Sequence, residues 1–361
     1  MRARAGLPAA SRLRAASSLL AVLALRAASS LLALLSLSVA GCGRYADFTL
    51  PPLAGGDERQ TYTFEARPEP VIARGAAGEF DARDALNPSV IPGGAAGPYL
   101  NFYSGFDGRA WHTGLATSAD GLAWRKQGRV LSPDPATWEG GYIAANGHAL
   151  RHAGEIYYWY QAGPKPTPRI GLARSSDGRS WRRLDGPVLE GGPRSSWDER
   201  AVGDPYAIHI GDAFYLYYLG QDRAGRQRLG VARSTDGVEW RKLRTNPVLE
   251  LGGAGAFDEV GLGEPAVWRA RGFYWMLYTG RDAREHRRMG LARSVDGVHW
   301  RKLPLVIAGD QAWDRTVVCD PTVEAAGDEV RVWFGGGDAP SPDENLNGQI
   351  GYAIMRATLA K

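Results

Sequence analysis

Five polar side chains recur in one register along this chain. Asn87, Asn146, Asp204, Glu264 and Asp320 each stand seven or eight residues after an aromatic residue that is itself followed by an acid, at Phe80-Asp81, Trp138-Glu139, Trp197-Asp198, Phe257-Asp258 and Trp313-Asp314. Four of the five precede a proline. A fold that gathers them makes a carboxylate cluster of Asp204, Glu264 and Asp320. Such a cluster suits glycosidic bond cleavage, where one carboxylic acid protonates the leaving oxygen and a second carboxylate activates water or attacks carbon. Like charges held close raise the pKa of one member, as the acid role requires. The competing reading is that an acid before a strand is a turn former or cap. Glu264 weighs against it, because a repeat that needed only a turn former would have no use for the longer side chain.

The elements that must position these residues follow from the repeat. A Ser-x-Asp-Gly-x-x-Trp string occurs four times, at 118–124, 175–181, 234–240 and 294–300, so its tryptophans lie 57, 59 and 60 residues apart. The aromatic-acid pairs add a fifth unit. Within each unit the apolar runs are short and alternate with period 2, as in Phe214-Tyr215-Leu216-Tyr217-Tyr218, and glycine-rich breaks separate them. Four antiparallel strands per unit are expected: one opening at the Asp-Pro or its equivalent, one rich in Tyr, one reading Gly-Leu-Ala-Arg-Ser and one starting at the repeat Trp. Five such units predict an all-β protein, a five-bladed β-propeller over residues 59–361. The last unit has no Asp-Gly-x-x-Trp string, and Thr61-Tyr62-Thr63-Phe64 is expected to supply its missing strand, pairing near Gly351 and removing the exposed edges. In this topology the four Asp-Gly turns are structural and lie opposite the mouth. The set of five converges at the mouth, ringed by loops carrying Asp107, Gln221, Asp222, Arg281, Asp282 and Asp338.

Composition agrees with strands and turns. The 361 residues include 47 glycines and 22 prolines, too many for an all-helical chain, while 44% hydrophobic residues exclude disorder as the main state. The net charge of +4 comes from Arg2, Arg4, Arg12, Arg14 and Arg26, because residues 1–41 contain no acid; without them it is −1. A near-neutral remainder has no global attraction to nucleic acid or an anionic membrane. Those arginines precede an apolar stretch ending at Gly41 that is too short to span a bilayer, so residues 1–41 read as a signal peptide. Val39-Ala40-Gly41-Cys42 resembles the bacterial lipobox, which implies a lipoprotein diacylated on Cys42 and anchored in the cell envelope, at the outer membrane since Gly43 is not Asp. Residues 42–58, with Pro51, Pro52, Gly55 and Gly56, read as a flexible tether. With the Cys42 sulfur acylated, Cys319 is the one free thiol after processing, which excludes an intramolecular disulfide.

Over residues 59–361 the chain resembles the five-bladed propeller glycosidases that include arabinanases, xylosidases, invertases and levansucrases. The resemblance rests on Asp204-Pro205 in the third unit, Glu264-Pro265 in the fourth, and the recurring Pro-Val-Leu, Tyr-rich and Gly-Leu-Ala-Arg-Ser-x-Asp-Gly-x-x-Trp strings. It implies that Glu264 is the general acid and that Asp204 orients it and tunes its pKa. The first-unit Asp that acts as base or nucleophile in the family corresponds to Asn87, and an amide can do neither job. Asp320, Asp84 or a substrate group could take its place, provided that a carboxylate stands roughly 5–9.5 Å from Glu264 across an open pocket.

The remaining signals are weak. The six histidines show no metal-site spacing, no glycine-rich phosphate loop appears, and no metal or cofactor is expected. His148, two residues after Asn146, is the one histidine near the expected mouth and is a candidate substrate contact together with Asn87, Asn146, Asp222, Arg281 and Asp282. The expected protein is a monomer that binds carbohydrate, touches the membrane through its lipid alone and binds no nucleic acid. The competing class is a non-catalytic propeller that binds sugar or a protein partner through the same mouth.

Overall fold

A computed structural model describes residues 43–94 and 97–360. The signal segment and Cys42 lie outside the described residues. The chain divides into two units, residues 1–46 and 47–361. Of the first, residues 43–46 are described, with a two-residue strand at Tyr45–Ala46. The second unit holds all the blades.

Alternating apolar residues produce the expected four-stranded antiparallel blades. The second blade runs Ile143–His152, Glu155–Ala162, Arg169–Ser175 and Arg182–Arg183. The third runs Ala201–Ile210, Ala213–Gln221, Gln227–Ser234 and Arg241–Leu243, and the fourth Gly261–Ala270, Phe273–Arg281, Arg287–Ser294 and Arg301–Ile307. The first blade is Asp84–Leu86 with Val90–Ile91, then Tyr99–Phe106, Trp111–Ser118 and Arg125–Leu131. The fifth has Val317–Ala326, Glu329–Gly337 and Gln349–Leu359. Its fourth strand is Gln60–Ala66, paired antiparallel to the last strand with Phe64 opposite Met355 and Ala66 opposite Ala353. The ring thus closes where the sequence placed the closure. The fifth and first blades also join directly, since the Ala85 amide donates to the Gly348 carbonyl at 2.9 Å.

Aromatic residues seal the blade interfaces. Each repeat tryptophan packs on a second-strand aromatic of the preceding blade: Trp181 on Phe102 at 5.3 Å, Trp240 on Trp159 at 6.0 Å, Trp300 on Tyr217 at 5.9 Å and Trp124 on Trp333 at 6.5 Å between centroids. The Asp-Gly turns complete the same joints. Trp159 donates its indole N–H to the Gly237 carbonyl, Trp333 to that of Gly121, and Tyr217 its hydroxyl to that of Gly297, at 2.7–2.8 Å. Such contacts add about 0.5–1.5 kcal/mol per aromatic pair to the area they bury.

The aromatic-acid pairs have a structural task as well. Asp81, Glu139, Asp198 and Asp258 are buried, and each accepts the hydroxyl of a second-strand tyrosine and a cation from its own blade's fourth strand. In the fifth blade Phe334 replaces the tyrosine, and the closing strand brings no cation. Burial accordingly raises the pKa of Asp314.

One expectation fails at the N-terminal edge. Residues 47–58 are not a loose tether throughout, because Leu50 is fully buried against the Gly297 turn. The Leu50 and Leu53 amides donate to the Asp296 and Val295 carbonyls at 2.9 and 2.8 Å, and buried Arg293 binds the Glu58 carbonyl and carboxylate. Proline and glycine content suggested flexibility; one apolar side chain and these backbone bonds override it.

Candidate active site

In the second to fifth blades the first strand begins before the residue in question, which therefore lies inside the strand at a β-bulge; in the first blade Asn87 occupies the equivalent break between Asp84–Leu86 and Val90–Ile91. Register shifts fall between Ala145 and His148, Gly203 and Tyr206, Gly263 and Ala266, and Cys319 and Thr322. Asn87, Asn146, Asp204, Glu264 and Asp320 all have left-handed backbones, with φ of 47–54°. The proline that follows four of them has no N–H to leave unpaired at the bulge. Asn and Asp tolerate this conformation, whereas glutamate does so at a cost. The bulge turns each of the five side chains toward the channel mouth, where all five line one cavity of about 500 Å³.

Hydrogen bonds at these five positions join the blades in a ring. Each bulge N–H donates to a side chain on the preceding blade: Asn146 to Ser104 Oγ at 2.9 Å, Asp204 to Gln161 Oε1 at 3.3 Å, Glu264 to the Asp204 carboxylate, Asp320 to Glu264 Oε2 at 3.2 Å and Thr279 Oγ1 at 3.3 Å, and Asn87 to Asp320 Oδ2 at 3.2 Å. The Asn146 side chain also donates to Asp204.

Electrostatics separate the three acids. Burial of its carboxylate, then the charge of Glu264, pushes Asp204 up to about 7, with Arg287 pulling the other way. Asp320 is buried and raised well above the carboxylate range, by desolvation first and then by the charge of Glu264 and a hydrogen bond to it. Glu264 is half-buried and open to the cavity. Burial works against the charge of Arg287, yet Glu264 and Asp320 hold its guanidinium protonated. Carboxylate oxygens of Glu264 and Asp320 and the Cys319 thiol lie within 4.8 Å of one another. Arg287 already supplies that cluster with a cation, so the donor set does not call for a metal ion.

The other candidates divide. Arg281 and Gln221 line the cavity. Asp222 and Asp282 do not: Asp222 binds Arg226 and Arg228, and Asp282 binds His286 and caps its own turn. Both are hairpin residues, as Asp107 is for the amides of Arg109 and Ala110. Asp338 accepts the Asn347 side chain within its own loop. His148 lies behind the ring, in a narrow bore with Pro88, Pro205, Pro265 and Pro321. Its ring stacks on Tyr206 at 4.0 Å, its Nδ1 accepts the Ala207 amide, and burial lowers its pKa to about 3. It is a packing residue. Asp84 is fully buried, its carboxylate taken by the Asn345 and Gly348 amides at 2.7 and 2.8 Å. Neither Asp84 nor Asp320 therefore meets the separation that a second hydrolytic carboxylate needs: Asp84 faces packed protein, and Asp320 is too close to Glu264 for a water between them.

Sequence reasoning missed Arg287, and the repeat register held the signal. Counting three residues back from the third-strand glycines Gly114, Gly171, Gly230 and Gly290 gives Trp111, Pro168, Gln227 and Arg287, all of which line the cavity.

The five-bladed propeller that gathers these bulged acids at one mouth is a fold that this chain shares with solved glycoside hydrolases. The family model for the glycosyl hydrolases family 32 N-terminal domain matches residues 95–257. An uncharacterized protein of Mycobacterium tuberculosis is 30% identical over 235 residues, 59% of this chain and 75% of its own. The 1,2-beta-oligomannan phosphorylase of a Thermoanaerobacter species is 30% identical over 135 residues, 35% of this chain and 45% of its own. The solved beta-1,2-mannobiose phosphorylase of Listeria innocua shares the fold at 13% identity and a TM-score of 0.63, covering 81% of this chain and 97% of that one. The chain belongs to the five-bladed β-propeller glycosidase superfamily.

Proposed function

We propose that this protein cleaves a glycosidic bond of an oligosaccharide held in the mouth cavity, with Glu264 as proton donor and Asp204 as the group that orients it and sets its protonation. One observation carries the reading: the longest acid of the five takes the strained left-handed bulge and reaches the cavity beside half-buried Asp204, while Asp320 stays enclosed. The cavity volume suits a small ligand of this kind.

Asn87 favours an attacking group that needs no base. Inorganic phosphate is already an anion, and Arg200, Arg281 and Arg287 line the wall that would receive it. In that reaction a phosphate oxygen bonds to the anomeric carbon, the glycosidic C–O bond breaks, and the Glu264 proton goes to the leaving oxygen. The two mannoside phosphorylases with which the chain compares support this choice. The test is a panel of oligosaccharides, beta-1,2-mannobiose included, with and without phosphate. Phosphate-dependent cleavage that Glu264→Gln abolishes is the expected result. Cleavage without phosphate would make water the attacking group, and binding without cleavage would leave a non-catalytic sugar-binding propeller.

The same proposal has the protein anchored to the bacterial cell envelope, at the outer membrane, through lipid on Cys42. Support comes from the lipobox-like 39–42 segment, and palmitate labelling that survives Cys42→Ser would refute it.

A further inference from the structure

The loop between the second and third strands of the fifth blade, residues 338–348, is the longest of the five such loops, and it does not stay on its own blade. Arg287 of the fourth blade donates to the Ser341 and Pro342 carbonyls at 3.3 and 2.7 Å, and Arg281 to that of Pro342 at 3.4 Å. On the far side of the mouth, Lys165 of the second blade pairs with Asp343 at 3.3 Å and Glu344 at 2.8 Å. Tyr142, just before that blade, donates its hydroxyl to Glu344 at 3.0 Å beneath the Lys165 ammonium. The base of the loop is fixed to the first blade by Asp84, and Leu346 is fully buried. Pro342 and Asp343 line the same cavity as Glu264. Among the described residues the loop's hydrogen bonds and ion pairs reach the first, second, fourth and fifth blades, and none reaches the third. The third blade meanwhile contributes exposed Arg200 together with Gln221 and Gln227 to the cavity rim.

We propose that this loop is a strap which makes the mouth a blind pocket open toward the third blade, so that the enzyme removes one terminal residue of a glycan and does not cut within a chain. A chain lying across the channel would have to leave between the fifth and first blades, where the strap runs. The Lys165 latch to Asp343 and Glu344 determines this specificity. Its ion pairs are partly solvated, so each is weak, and the latch opens without disturbing the buried base of the strap.

The inference rests on glycosidic cleavage at this site, and the test separates the two. The full chain is incubated with tetrasaccharides of beta-1,2-mannan, arabinan and xylan, each labelled at its reducing end and supplied with phosphate. Whichever is cut should first yield labelled trisaccharide alone. The double variant Lys165→Ala, Glu344→Ala should raise the early yield of labelled disaccharide about tenfold. Labelled disaccharide at first turnover by the natural protein, or an unchanged product ratio in the variant, overturns the strap while leaving cleavage intact. Cleavage by the variant alone overturns it too, because the loop would then be a cover that excludes all substrate. If neither protein cuts any tetrasaccharide, the cleavage reading falls and the strap's role falls with it.

Discussion

Replacing Asp204 with Asn tests whether the site trades stability for function. Asp204 is raised from 3.8 to about 7, chiefly by burial and then by Glu264. Between those values the folded state holds a proton that the unfolded chain releases, so this group makes stability fall as pH rises through the interval, with the full penalty present above about 7. At about 1.4 kcal/mol per pKa unit the penalty is a little over about 4 kcal/mol, and partial exposure to the cavity reduces it, so about 2–4 kcal/mol is expected. Asparagine keeps an oxygen to accept the Glu264 amide and has no charge to bury. For a domain of roughly 300 residues, with an unfolding entropy near 0.6 kcal/mol per kelvin, Asp204→Asn should raise Tm by about 3–6 °C at pH 8 and change it little at pH 4. Glycan cleavage should drop sharply in the same protein. Thermal unfolding across pH 4–8 checks the argument. A variant that is equally stable or less stable than the natural protein at pH 8 would refute it, since Asp204 would then be a structural cap with no charge penalty.

Three further outcomes are expected. Asn87→Asp should shift products from glycosyl phosphate toward free sugar, because the new carboxylate repels phosphate and can activate water; a general base is worth 10²- to 10⁴-fold, which product analysis by chromatography would resolve. Lys242→Met should destabilise the protein by about 3 kcal/mol, measured by denaturant unfolding, because it strands Asp198, 1% exposed at its side chain; Arg182→Ala, which breaks the solvated pair with Glu155, should cost well under 1 kcal/mol.

The blades were legible because each unit repeats the same local chemistry. Period-2 runs gave the strands, the Asp-Gly turns gave the hairpins, and the missing last strand pointed to Thr61–Phe64 by simple subtraction. The five site residues were legible for the same reason, being in register. What escaped is what the repeat does not copy. Asp222 and Asp282 occupy turn positions that look like mouth positions, and only the neighbouring Arg226, Arg228 and His286 show that their charges are used locally. His148 looked like a contact because it follows Asn146 by two, but the bulge at Asn146 sends the residues after it behind the ring. The strap is a single insertion with no counterpart in another blade, so no alignment of units could reveal it. Leu50 escaped because one buried side chain leaves no periodic trace.

The ring of bulge hydrogen bonds has a sense of rotation. At each of the five positions the backbone N–H is finished by a side chain from the blade before it. A substitution is therefore felt downstream: a change at Gln161 reaches Asp204, a change at Asp204 reaches Glu264, and a change at Glu264 reaches Asp320. Inheritance of damage runs one way around the propeller. Residues upstream of Glu264, on the second and third blades, thus carry the proton donor's geometry, while the first blade is linked to the second through Ser104 and not through Asn87. That is where an aspartate could become Asn87 without unseating the acid three blades away.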